Sequence, residues 1–334
     1  MTKVYTKCIL VTGGAGFIGS NFLNHFVKNY PNYYFICIDK LSYSSDNSTK
    51  NIIDITDAEN FKFIKLDLAE SYLDLFQLLV TDYEIYQITD IINFAAESCV
   101  DKSFESPLYF TKNNILSTQN LLECYRLLKK SRPEVNINFL HISTDEVYGD
   151  SDIDVNEQGI LNPTNPYSAS KAAVDLIINS YRYSYKLPIC IIRPNNIYGP
   201  YQYPEKIISR TLHCLKHGKK IPIHGSGSNK RRYLHVKDFL NGLQLIWENG
   251  NLDDSYNIGN DFEISNYAVI KLIGELFFGN KSEIDDKVVF VNDREYNDLQ
   301  YSINDDKIKQ LGWKPEIDFR SGIKDLIDNY YPYL

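Results

Sequence analysis

"CILVTGGAGFIGS", residues 8–20, runs from an apolar segment into three glycines spaced G-x-x-G-x-x-G: Gly13, Gly16 and Gly19. The segment before them, Cys8 to Thr12, reads as a strand buried on both faces. From Phe17 onward the pattern is helical. Glycines at such a junction let the backbone turn tightly and let a diphosphate approach the first amides of the helix. A glycine pattern alone is a weak signal, but a strand before it and a helix after it make it a strong one. The stretch therefore predicts the first strand–turn–helix unit of an open parallel sheet, with a dinucleotide at its edge.

The same alternation continues outward. "YFICID" (34–39), "FKFIKLD" (61–67), "DIINFAA" (90–96), "INFLHIS" (137–143) and "LPICIIRP" (187–194) are further buried-strand candidates. Between them lie amphipathic stretches at Ser20–Asn29, Ser117–Lys130 and Pro166–Tyr185. Strands alternating with helices predict an α/β fold with a doubly wound parallel Rossmann sheet. After Arg193 turn formers crowd into "PNNIYGPYQYPEK", and helical patterns recur at Val236–Asn249 and Ser265–Phe278 around a strand at "SYNIG". We expect a dinucleotide-binding domain over 1–195 and a smaller C-terminal α/β substrate lobe over 196–334, with an approximate boundary and interleaved segments.

Bulk composition narrows the function classes. The 334 residues, 43% apolar and 23% charged, suit a soluble globular protein with a sizeable core. A net charge of −8 argues against general nucleic-acid binding. The start, "MTKVYTKC", lacks a signal-peptide apolar region, and no apolar run approaches the ~18 residues of a membrane helix. The default expectation is a cytoplasmic protein with no membrane partner. Six scattered cysteines without a C-x-x-C pair read as buried reduced thiols, and no metal site is expected.

Asp39 ends the second strand, 20 residues after Gly19. A carboxylate there can accept both adenosine ribose hydroxyls and repels a 2′-phosphate, so NAD is expected over NADP. The neighbouring Lys40 weakens that preference slightly.

"NPYSASKAA" places Tyr167 and Lys171 at i, i+4 on one helix face, behind an Asn165 cap and Pro166. With 26 tyrosines the spacing means little by itself, and it recurs at Tyr125, Tyr233 and Tyr267. The pair at 167 stands apart because Ser143 ends a central strand 24 residues earlier, where open parallel sheets bind ligands. A tyrosine of ordinary pKa near 10 is a poor base at neutral pH. A neighbouring ammonium and a positive nicotinamide would stabilise its phenolate. Tyr167 could then remove a hydroxyl proton while a hydride leaves the same carbon.

With these motifs the chain resembles an extended short-chain dehydrogenase/reductase, and within that family the nucleotide-sugar 4,6-dehydratases of the dTDP-glucose type. The likeness runs nearly end to end through "TGGAGFIGSNF", "IDKLSY", "STDEVYGD", "NPYSASKA", "NNIYGPYQYPEK", "YNIG" and "LGW". It implies oxidation of an NDP-glucose at C4 and loss of water across C5 and C6. Hydride then returns to C6. Glu146 would be the C5 base, Asp145 the acid for the departing C6 oxygen, and Thr144 would orient the sugar near O4. Adjacent carboxylates repel, which helps one stay protonated while the other is ionised.

The resemblance also implies cofactor contacts at Gly13, Gly16, Phe17, Ile18, Gly19, Asp39, Lys40 and Ser42. Further ones are expected at Asp67, Leu68, Ala95, Ala96, Ser143, Tyr167 and Lys171. Substrate contacts are expected at Ser98, Thr144, Asn196, Lys206, Arg231, Asn257 and Arg294, the cations gripping the diphosphate. For Lys230 and Arg232 a solvated basic turn is the simpler reading. Cys99 stands where the family usually has His, Lys102 where it often has Arg, and "DREYND" replaces a Pro-Gly-His type run. These departures leave the sugar and the choice between dTDP and UDP open. A 4-epimerase needs neither acid, and a UDP-glucuronate decarboxylase has no hydroxyl to expel, so Asp145 separates them from a dehydratase. Intact Tyr167, Lys171, Asp145 and Glu146 argue against a non-catalytic Rossmann scaffold. Relatives pair as homodimers through a four-helix bundle, here expected from helices near 105–130 and 167–185.

Overall fold

The computed structural model describes residues 4–82, 86–280 and 283–330; the first three residues of the leader reading and the last four of the expected C-terminal lobe lie outside them. The large sheet has seven strands in the order β10-β6-β5-β4-β1-β2-β3. They are β1 (Lys7–Thr12), β2 (Tyr33–Asp39), β3 (Phe61–Lys65), β4 (Asp90–Asn93), β5 (Asn138–Ile142), β6 (Cys190–Pro194) and β10 (Ser255–Ile258). Every pairing within it is parallel. The order turns back between β1 and β4, so chain crossovers diverge there and open a crevice at the strands' carboxyl ends.

Helices α1 (Phe17–Asn29), α2 (Ser117–Ser131) and α3 (Pro166–Tyr185) cover the sheet. α1 packs Phe22, Leu23 and Phe26 against Ile9, Val11 and Phe35 on one face. On the other face, α2 and α3 bring Leu121, Leu122, Val174 and Ile178 to Leu10, Ile36 and Ile91. Burial on both faces explains why the strands read as continuous apolar runs. α3 starts as its sequence suggests. Asn165 and Ser168 form a reciprocal capping box, with Pro166 in the first turn.

The remaining strands are β7 (Asn196–Tyr198), β8 (Ile221–His224), β9 (Lys230–His235), β11 (Glu263–Ser265) and β12 (Val288–Val291). They form a three-stranded sheet β11-β9-β7 and a pair β12-β8. Helices α4 (Ile207–Lys216) and α6 (Asn266–Phe278) pack with this smaller part. Interleaving is extensive. The "SYNIG" strand is β10 and completes the large sheet beside β6. Helix α5 (Val236–Asn249) lays Phe239, Leu243 and Trp247 on the α1 side of the large core. Residues after β12 return as well, with Thr164 donating to Asp298 at 2.7 Å and Val155 bridging to Ile303. All six cysteines are free and buried. Among the described residues no helix is long and apolar enough to cross a membrane, and no cluster of metal-ligating side chains occurs.

Candidate active site

Two adjoining clefts open above the carboxyl ends of the large sheet. The first is floored by the glycine turn. Gly13 has φ +69°, and a Cβ there would lie 2.6 Å from the backbone nitrogen of Ala95, so a glycine is required. Gly16 precedes α1 without any side-chain cap, which leaves the helix's first amides free for an anion. Every cofactor position expected from the sequence lines this cleft, from Gly13, Gly16, Phe17, Ile18 and Gly19 at one end to Ser143, Tyr167 and Lys171 at the other. Asp39 is fixed by two backbone amides, Ala15 at 2.9 Å and Leu41 at 2.7 Å. Lys40 is turned inward, donating to Asn113 at 2.6 Å and paired with the buried Glu97 at 3.0 Å. Glu97 was not anticipated; its second oxygen is buried without a hydrogen-bond partner. Its place directly after the "DIINFAA" strand is the available signal.

The second cleft is lined by Thr144, Asp145 and Glu146 together with Asn196, Lys206, Arg231 and Arg294. Tyr167 and Ser98 line both clefts. The acids sit in a short 3-10 helix, Asp145–Tyr148, directly beyond β5, and Thr144 caps it by accepting the amide of Glu146. Thr144 also donates to Asp145 Oδ1 at 3.2 Å. Asn195 donates to the other oxygen of Asp145 at 2.8 Å. Glu146 faces the Asn165 amide at 3.4 Å and the Tyr301 hydroxyl at 3.5 Å. Burial, and then repulsion from Glu146, raise Asp145 from the ordinary carboxylate range to about 7, while Asn195, Thr144 and Arg231 pull the other way. A buried acid of that kind can hold a proton near neutrality, as a general acid must. Sequence reading passed over Asn195, Asn165 and Tyr301. Asn195 adjoins Asn196 in "PNNIYGPYQYPEK", Asn165 carries the signal of a helix cap, and Tyr301 has no local signal.

Other expected positions make contacts within the protein. Lys171 donates to the Ile142 carbonyl at 2.6 Å and meets His141 at 3.3 Å, so its nitrogen is engaged behind Tyr167. Burial pushes Tyr167 well up from its ordinary value and takes Lys171 down to about 8. Arg231 is buried against the Tyr301 ring, 4.6 Å away, and donates to the Asp298 carbonyl at 3.0 Å. Arg294 pairs with Asp101 at 2.5 Å. Lys206 donates to the Ser98 carbonyl at 2.6 Å. Asn257 stands outside both clefts. It is fully buried in β10, accepting from Tyr148 at 2.9 Å and donating to the carbonyls of Val155 and Asn304, each at 2.9 Å. Its amide has no group left for a ligand, which corrects the substrate contact expected there.

The family described as GDP-mannose 4,6 dehydratase matches residues 10–326. An uncharacterized protein of Schizosaccharomyces pombe is 50% identical, covering 98% of this chain and 99% of its own length. The dTDP-D-glucose 4,6-dehydratase of Homo sapiens is 39% identical over 98% of this chain and 90% of that protein. The crystal structure of dTDP-glucose 4,6-dehydratase from Bacillus anthracis in complex with NAD superposes with a TM-score of 0.85 at 35% identity, covering 98% of this chain and 97% of the other.

Proposed function

The chain belongs to the nucleotide-sugar 4,6-dehydratase family of extended short-chain dehydrogenase/reductases, and from that premise we propose that it converts an NDP-glucose, carried on dTDP or UDP, to the NDP-4-keto-6-deoxyglucose. The observation that carries this reading is a protonatable Asp145 beside Glu146, in a wall shared with Tyr167. The glycine turn, the uncapped start of α1 and Asp39 fit the diphosphate and ribose of NAD. Bound there, NAD supplies a store for the hydride taken from C4 and given back at C6.

The protein's own groups manage the protons. Tyr167 takes the C4 hydroxyl proton. Glu146 takes the C5 proton, made acidic by the neighbouring ketone, and Asp145 gives its proton to the C6 oxygen as it leaves as water. Each turnover thus leaves a proton on Tyr167 and removes one from Asp145. Thr144, which donates to Asp145 at 3.2 Å and lines the same cleft as Tyr167, offers a short route for its return. Asn196, Lys206, Arg231 and Arg294 surround the space for the nucleotide diphosphate. An epimerase or decarboxylase would have no use for the acid at 145.

The expected homodimer has support from exposed apolar side chains. Leu176 and Tyr183 are 60% and 78% exposed on α3, and Leu108 and Leu116 are 83% and 42% exposed before α2. A second copy meeting this face would cover all four.

The reaction is tested by incubating the protein with dTDP- and UDP-hexoses and following loss of water by mass spectrometry. No keto product from any NDP-hexose would sink the dehydratase reading.

A further inference from the structure

Lys40 follows Asp39 directly beyond the carboxyl end of β2, inside the cofactor cleft. A cation near that strand end is what the 2′-phosphate of NADP needs, so its presence in the sequence counts against a preference for NAD. In the folded chain the ammonium is already committed. Its three hydrogens meet three acceptors: Asn113 Oδ1 at 2.6 Å, Glu97 Oε1 at 3.0 Å and the Tyr109 hydroxyl at 3.2 Å.

Each acceptor is held in that role by a further bond. Asn113 Nδ2 donates to the Tyr109 carbonyl at 2.8 Å, which turns the amide oxygen to Lys40. The Tyr109 hydroxyl gives its hydrogen to Glu97 Oε1 at 3.1 Å and offers Lys40 a lone pair. Asn114 clips the Glu97 backbone, accepting its N–H at 2.8 Å and donating to its carbonyl at 3.0 Å. Glu97 is only 2% exposed, and its second oxygen is buried without a hydrogen-bond partner. A carboxylate so removed from water stays ionised only beside a cation, which ties Lys40 to it.

The charges at this end of the cleft are unequal. Burial lowers Lys40, yet Glu97 outweighs it and holds the ammonium above its ordinary value. Asp39 is pushed up by burial, opposed by the amides of Leu41 and Ala15 and by Lys40, with Glu97 adding to the rise. Two carboxylates, Asp39 and Glu97, thus share one committed cation. Beyond them Lys65 and Lys112 line the adjoining surface together with Asp67 and Glu70, a balanced set.

We propose that Glu97 is a specificity-determining residue for the cofactor: by engaging Lys40 it denies the 2′-phosphate of NADP a free cation and leaves Asp39 to receive the ribose hydroxyls of NAD. A 2′-phosphate would add roughly −1.5 to −2 of charge to a net negative site, whereas the 2′-hydroxyl adds none. Asp39 is the acid a dinucleotide site shows in sequence; Glu97 is a second one, brought to it by the β4 end of the sheet. The inference rests on the NAD reading of the cleft and is independent of the dehydration chemistry.

Calorimetric titration with NAD and with NADP tests it through the ratio of the two dissociation constants. Glu97→Gln keeps the side chain's shape and removes its charge, so NADP should gain on NAD by roughly tenfold or more. An unmoved ratio in a variant that keeps its circular dichroism spectrum overturns the inference; a purely packing role for Glu97 would weaken both dinucleotides alike and give that result. Glu97→Gln together with Lys40→Met removes both charges of the pair and releases no cation. Its ratio should lie within about threefold of the wild-type value. A gain for NADP that persists in the double variant shows Glu97 acting without Lys40 and refutes the mechanism. That variant leaves no buried charge unpaired, so it serves as the test if the single substitution does not fold. If neither dinucleotide binds the wild-type protein, the cofactor reading falls and this inference with it. If NAD binds and the ratio does not move, this inference falls alone.

Discussion

Asn195 Nδ2 lies 2.8 Å from Oδ2 of Asp145, and the same side chain accepts the amide of Asn260 at 3.0 Å through Oδ1. The second bond fixes which end of the amide meets the acid. A donor stabilises the ionised carboxylate, so Asn195 holds Asp145 below where burial and Glu146 would otherwise put it. The elimination step needs Asp145 protonated, so its rate should fall as pH rises through about 7. In Asn195→Ala that fall should begin roughly one unit higher. The pH profile of water loss measures it, and a profile that shifts to lower pH contradicts the assignment.

Asp145→Asn should still oxidise C4, so reduced nicotinamide should accumulate in a single turnover while water loss drops by about 10²-fold or more. Elimination at the wild-type rate would show that another group protonates the leaving oxygen. For Glu146→Gln the readout is isotopic: deuterium from solvent should no longer enter at C5.

Gly13→Ala would set a Cβ 2.6 Å from the Ala95 nitrogen in a left-handed backbone, at about 1–2 kcal/mol for the conformation alone. Binding of NAD, followed by calorimetry, should weaken at least tenfold with the circular dichroism spectrum retained. Unchanged affinity would move the cofactor away from the glycine turn.

Leu176→Asp together with Tyr183→Asp should leave a monomer by analytical ultracentrifugation, because both side chains project from the outer face of α3. A wild-type protein that is already monomeric at micromolar concentration would refute the proposed dimer.

Arg193 pairs with Asp175 at 2.8 Å, with both side chains buried, and also donates to Tyr148 at 2.7 Å. Arg193→Leu would leave Asp175 as an uncompensated buried charge, at ~3–5 kcal/mol. Urea unfolding should register that loss, and Arg193→Leu with Asp175→Leu should recover part of it.

Much of this molecule is legible locally. The buried strands, the glycine turn and the Asn165–Pro166 start of α3 follow from neighbouring residues in the chain. They reflect two-face burial, backbone freedom and capping, all of which act over a few positions. The two acids beyond β5 follow as well, since the end of a central strand is where such a sheet opens.

What the tertiary structure decided concerns groups far apart in sequence. Asn257 faces inward because β10 joins the large sheet and Tyr148, Val155 and Asn304 surround its amide. Arg294 meets Asp101 across 193 positions. Asp145 acquires its proton from burial and from the charge of Glu146, opposed by Asn195, 50 residues away. His141 meets Asn93 because strands from three parts of the chain align Thr12, Asn93 and His141 in one row. Residue type and local pattern determine which groups are available. Protonation, tautomer and the choice of partner depend on desolvation and on hydrogen bonds that exist only once distant segments have packed.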